Sequence, residues 1–104
     1  MRAQSVTLSS ATTSNAIPMD YAIAPFSVSL AGVVTGTATW KVQYTYDDVF
    51  NPNVTPNWFD HATLTGKTAN ADGTITNPVK AVRLNVTAYT NGTITLTILQ
   101  GRGN

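Results

Sequence analysis

The stretch Ala81-Val82-Arg83-Leu84-Asn85-Val86-Thr87-Ala88-Tyr89, then Thr90-Asn91-Gly92, then Thr93-Ile94-Thr95-Leu96-Thr97-Ile98-Leu99-Gln100 decides the fold class. Val82, Leu84, Val86 and Ala88 alternate with Arg83, Asn85, Thr87 and Tyr89. Beyond the glycine, Ile94, Leu96 and Ile98 alternate with Thr93, Thr95, Thr97 and Leu99. A period of two with this much Thr, Val and Ile is the pattern of a half-buried strand. Asn91-Gly92 between the two runs predicts a tight hairpin, because both central residues of a type I′ turn need positive φ.

The same rhythm extends upstream. In residues 37–47, Ala38, Trp40, Val42, Tyr44 and Tyr46 share one face, while Thr39, Lys41, Gln43 and Thr45 take the other. Phe26, Val28 and Leu30 alternate with Ser27, Ser29 and Ala31, and Gly32 and Gly36 bracket a turn or bulge into the next strand. Near the N-terminus Val6 and Leu8 alternate with Ser5, Thr7 and Ser9, and residues 10–15 read as a polar connector. Residues 17–21 form at most an edge strand, since Pro18 has no N–H for a ladder. No segment repeats apolar residues at helical spacing. These runs predict a single all-β domain over residues 1–104, an antiparallel β-sandwich of jelly-roll or Ig-like order with about seven strands. Residues 48–77 break the rhythm and read as a long loop region, with Asn70-Ala71-Asp72-Gly73 as a turn into Thr74-Ile75-Thr76.

Composition narrows the function. Charged residues are 11% of the chain, less than half of the roughly 25% usual in soluble domains. The acids are Asp20, Asp47, Asp48, Asp60 and Asp72. The basic residues Arg2, Lys41, Lys67, Lys80, Arg83 and Arg102 are dispersed, so the stripe that marks a nucleic-acid partner is missing. A neutral, Thr- and Asn-rich exterior repels its own copies weakly and suits a protein that associates. Cysteine is absent, so packing, oligomerisation or docking must supply the stability that disulfides give many small secreted domains. The alternation after Met1-Arg2 lacks the continuous apolar run of a signal peptide, and no run approaches the length of a membrane span. The expectation is a protein made and kept in the cytoplasm unless it leaves inside an assembly.

Chemistry finds little purchase. His61 is the only histidine, no Cys–His pair is available, and no Gly-x-Ser-x-Gly elbow occurs. Asp47 and Asp48 are adjacent, so on a strand their side chains point to opposite faces, unlike a hydrolase pair facing across a cleft. Asp47, Asp48, Asp60 and His61 flank one loop, but their spacing matches no calcium loop, and Asp side chains at such places cap turns. Neither a catalytic group, a metal nor a cofactor is expected. The aromatics say more. Trp40 lies on an apolar face and reads as core. Trp58 and Phe59 follow Pro52 and Pro56, with Phe50 nearby. They fit three roles: a plug for one end of the sandwich, an anchor for a protein interface, or a sugar-stacking platform. Phe50, Trp58, Phe59 and His61, with Arg102 between two terminal glycines, are the candidate interface residues; residues 1–4 and 100–104 are candidate reaching termini.

The strand Ala38-Thr39-Trp40-Lys41-Val42-Gln43-Tyr44-Thr45-Tyr46-Asp47-Asp48, then Trp58-Phe59-Asp60-His61, then residues 81–89 and the run through Gln100 resemble small structural proteins of tailed-bacteriophage virions. The resemblance spans residues 4–101 and rests on strand patterns in a shared order. It implies a β-sandwich that decorates or cements a capsid, or sits at a head or tail junction. Its implied partners are the major capsid protein or other virion proteins and copies of itself, with neither nucleic acid nor membrane. It carries over no catalytic residues, and it places the chain in the virion. The same order is loosely similar to discoidin-type and carbohydrate-binding jelly rolls, which gives a sugar-binding or adhesion module of a tail apparatus as the alternative.

Overall fold

The computed structural model describes residues 4–19, 28–76 and 78–100, Gln100 by its backbone alone. Its strands are β1 (Gln4–Leu8), β2 (Ile17–Pro18), β3 (Val28–Thr45), β4 (Trp58–Asp60), β5 (Ala71–Ile75) and β6 (Ala81–Gln100). All pairings are antiparallel and belong to one six-stranded sheet. No described residue is helical. The all-β reading therefore holds, with the strands joined differently from the expectation.

β3 and β6 lie side by side for their whole length, from Val28 opposite Gln100 to Thr45 opposite Ala81. The other flank of β6 is covered by residues 4–19. There β1 pairs with Ile94 to Ile98, Val86 N–H donates to the Thr12 carbonyl, Ser14 N–H donates to the Leu84 carbonyl, and β2 pairs with Ala81 and Val82. The other flank of β3 is covered by residues 58–75. β4 pairs with residues 43–45, Lys67 and Trp40 exchange backbone bonds, and β5 pairs with residues 28–32. Four antiparallel ribbons thus run across the sheet.

The sheet is folded across its middle. Trp40 lies eight positions beyond Gly32, a straight-strand distance of about 26 Å. Yet the Trp40 ring packs so tightly on Gly32 that a Cβ there would collide with it. The strand has doubled back, and one sheet becomes two four-stranded layers. The first layer runs β1–β6–β3–β5 and the second β2–β6–β3–β4. Val28, Leu30, Ile94, Leu96, Ile98 and Ile75 of the first meet Ala38, Trp40, Val42, Val82, Leu84 and Val86 of the second in one buried core. This is a sandwich whose layers are halves of the same strands.

The predicted hairpin at Asn91-Gly92 is not formed. β6 continues through it without a break, and its two halves do not pair with each other. Asn91 has negative φ while Gly92 stands at 87°, so only one of the two positive values a type I′ turn needs is present. The pair instead builds the fold-over. Gly92 lies opposite Gly36, itself at φ 100°, and a Cβ on Gly92 would strike the Thr35 carbonyl. The Asn91 side-chain oxygen accepts the Thr37 N–H at 2.9 Å. Register shifts between Thr37 and Ala38 and between Thr39 and Trp40 leave Thr90 and Thr87 without opposite residues on β3. Such bulges strengthen twist and bend a ladder.

The predicted loop at 48–77 also contains more structure than its composition suggests, namely β4 and β5. The expected turn at residues 70–73 is the start of β5. Gly73 has ordinary φ, and its missing side chain admits Leu64 and His61. Pro18 does sit on an edge strand, as its missing donor requires. The true connector at 46–57, the start of β1 and the two ends of β6 lie away from the fold-over, at the open end of the sandwich.

Candidate interaction site

Trp58 and Phe59 are neighbours on β4, so the pleat sends them to opposite faces. Each organises a different surface. Trp58 lies on the outer face of the second layer, beneath the Arg83 guanidinium, whose Cζ is 4.2 Å from the ring centroid. Arg83 Nε donates to Gln43 Oε1 at 2.8 Å, and Asn85 donates to the same oxygen at 3.4 Å. Gln43 Nε2 donates to Asp60 Oδ1 at 2.9 Å, and Lys41 pairs with the Asp60 carboxylate at 3.3 Å. Gln43 and Thr45 face outward by register, yet are only 8% and 0% exposed. The stacked Trp58–Arg83 pair roofs them. The Gln43 amide holds the Asp60 carboxyl below its ordinary pKa; burial opposes it, and Lys41 adds lesser pulls in the same direction as Gln43, while burial lowers the pKa of the Arg83 guanidinium.

Phe59 stands on the inner side of β4, beyond the rim of the core. Its ring stacks on Tyr44 at 6.1 Å and tilts against Tyr46 at 5.9 Å; Tyr44 and Tyr46 meet edge to face at 5.7 Å. Burial, with the Tyr46 hydroxyl beside it, raises the Tyr44 pKa. Tyr46 and Phe59 are half exposed, and Phe50 is 76% exposed. Tyr44 also lines an open cleft of about 370 Å³ with His61, Thr63, Gly73 and Ile75. Phe50 borders a second cleft of about 240 Å³ with Pro18, Met19, Val49 and Lys80. Aromatic rings therefore cluster at the open end.

The acids of the intervening loop serve its backbone. Asp47 Oδ2 accepts the Asn57 N–H at 2.7 Å, and Asp48 Oδ1 accepts the Phe50 N–H at 2.9 Å. No group of three or more potential ligands gathers among the described residues.

His61 departs from its expected place on the contact surface. It is 7% exposed and fully engaged. Nδ1 lies 3.2 Å from the backbone N–H groups of Thr63 and Leu64, so it accepts; Nε2 therefore carries the proton and donates to the Thr74 carbonyl at 2.8 Å. The imidazole ties the segment just after β4 to β5, one layer to the other. A lone histidine in a polar loop gives no sequence signal for that. Arg102 and the termini at 1–3 and 101–104 lie outside the described residues. Trp58 and Phe59 fall on separate surfaces, and Phe50 borders a cleft of its own with Pro18, Met19 and Lys80. Sequence reading missed Tyr46, Gln43 and Arg83, although the outward phase of Arg83 was visible in its alternating strand.

No family model matches the chain, and no curated protein matches it in sequence. Among solved structures it is similar to a Bacillus endospore appendage protein, described as belonging to a family of disulfide-linked pili. The two share 17% identity over 99% of this chain and 87% of the other, with a TM-score of 0.52. A structure of infectious bursal disease virus, Gx strain, aligns over 96% of this chain and 32% of its own, at 14% identity and a TM-score of 0.33. The first likeness is one of fold; the second is too slight to carry an argument. No helix among the described residues is long and apolar enough to cross a membrane.

Proposed function

We propose that the chain is a non-enzymatic structural subunit that works by binding protein surfaces, its own copies included. The setting we favour is the virion of a tailed phage, as a capsid decoration or cement protein bound to the major capsid protein. The observation that carries this reading is the set of rings left in solvent at the open end: Phe50, Tyr46 and Phe59. A small domain that leaves such rings exposed has an apolar surface suited to a partner, and aromatics are the usual anchors of interfaces. The endospore appendage protein, whose fold is similar, is described as pilus-forming, which is in keeping with a subunit role. This chain has no cysteine, so its assembly proceeds without disulfide links of its own.

Purified particles are expected to contain the protein in many copies, and Phe50→Ser with Phe59→Ser is expected to deplete it from them while leaving the fold intact. Recovery of the protein only as a free soluble monomer overturns the reading. The sugar-binding alternative has less to stand on, because Arg83 already occupies one face of Trp58.

A further inference from the structure

We propose that copies of this chain stack face to face in one direction, with the outer face of the second layer against the outer face of the first layer of the next copy, and Arg83 of one meeting Asp72 of the other. This rests on the structural-subunit reading and specifies how the subunit meets itself.

Four observations lead there. Arg83 is held rigidly by Gln43 and Trp58, yet no carboxylate pairs with it among the described residues. Its remaining N–H groups form a fork fixed in advance, so a carboxylate is bound with little ordering of the side chain. Asp72 is the converse. The carboxylates of Asp47, Asp48 and Asp60 each accept a hydrogen bond, whereas the exposed carboxylate of Asp72 has no hydrogen-bond or ion-pair partner among the described residues.

The two groups also point in opposite directions. Arg83 lies between Val82 and Leu84, both buried inward, so it faces out of the second layer. Asp72 sits opposite Ala31, between inward positions 71 and 73, so it faces out of the first layer. The sandwich separates them within one copy and joins them between copies. A contact of two different faces repeats from copy to copy, in a filament or a ring.

Finally, the receiving face suits close approach. On the first layer Ser5, Thr7, Thr35, Thr95 and Thr97 surround the half-exposed Val33 and Leu99, with Asp72 the one charge among the described strand residues of that face. Its hydroxyls already bond one another, Thr7 with Thr95 at 3.0 Å and Thr35 with Thr93 at 2.8 Å. Hydroxyls satisfied in this way lose little when water is removed. One exposed ion pair is weak alone, but a contact repeated along an assembly sums.

Sedimentation velocity on the purified full chain tests this. The wild type is expected to self-associate, more weakly as salt rises. Asp72→Arg and Arg83→Asp are each expected to weaken association about tenfold or more, and the double exchange to restore it. Asp72→Asn covers the case in which Arg83→Asp fails to fold, because Asp72 holds no other residue in place; it is expected to weaken association too. Single variants that associate like the wild type, a double exchange no better than the singles, or a wild type monomeric at every concentration overturns the proposal. Particle incorporation is measured separately: single variants that self-associate normally and still enter particles sink the stacking contact and spare the subunit reading.

Discussion

The two outer faces of this sandwich are built from the same pair of long strands, yet their chemistry differs completely. On the first layer, Thr hydroxyls pair with one another at the surface. On the second, Trp58 and Arg83 roof the amide of Gln43 and the side chain of Thr45, so β3 is buried on both sides there. One face is a flat sheet surface open to contact; the other holds a small polar cluster in place. Outward phase in a strand therefore does not by itself mean exposure.

The largest effect should come from what the faces share. Trp40→Ala removes the ring on which both layers close and should destabilise by about 3–5 kcal/mol, seen as a lower denaturant midpoint. Gly92→Ala forces a side chain toward the Thr35 carbonyl at the fold-over and should lose at least about 1–3 kcal/mol; near-neutral behaviour would mean the bend does not depend on that glycine.

The contrast itself is tested next. Gln43→Ala deprives Arg83, Asn85 and Asp60 of a partner and should lower stability by about 1–3 kcal/mol, while Thr95→Ala on the first layer should stay within about 0.5 kcal/mol. Equal effects would erase the distinction between the faces. The smallest effect is one of pH. The Asp60 pKa is lower in the fold than its ordinary 3.8, chiefly through the Gln43 amide. The unfolded chain thus binds that proton more readily, and the contribution is complete above the ordinary value and disappears as pH falls through the folded one. Asp60→Asn should flatten the acid limb of a stability–pH curve slightly, since the group is half exposed.

Much of the core was legible because alternation is a local property. Val28 and Leu30, then Ala38, Trp40 and Val42, then Val82, Leu84 and Val86, and finally Ile94, Leu96 and Ile98 all fall inward as their phase predicts. What escaped depends on residues far apart in the chain. A positive-φ glycine serves a hairpin or a bulge equally well; the choice at Gly92 is made by Gly36 across the ladder. Gly73 is small for Leu64 and His61, although Asp72-Gly73 has the look of a turn. Of the site, the aromatic character of β4 was readable from Trp58-Phe59. Its division between two faces, and the recruitment of Arg83, required knowing which strands lie beside it.

The ladder order has a consequence in time. β6 pairs with β1, β2 and β3, and it follows all of them along the chain. During synthesis the earlier strands emerge without the ribbon that joins them, and Gln4 waits for Ile98 before it has a neighbour. Little can be gained until β6 is made, and then nearly everything is gained together. Distant pairings of this kind close slowly. Until β6 is made, β1 and β2 have no partner and β3 can pair only with β4 and β5, so the yield in the cell should depend on how fast β6 is released and threads between them.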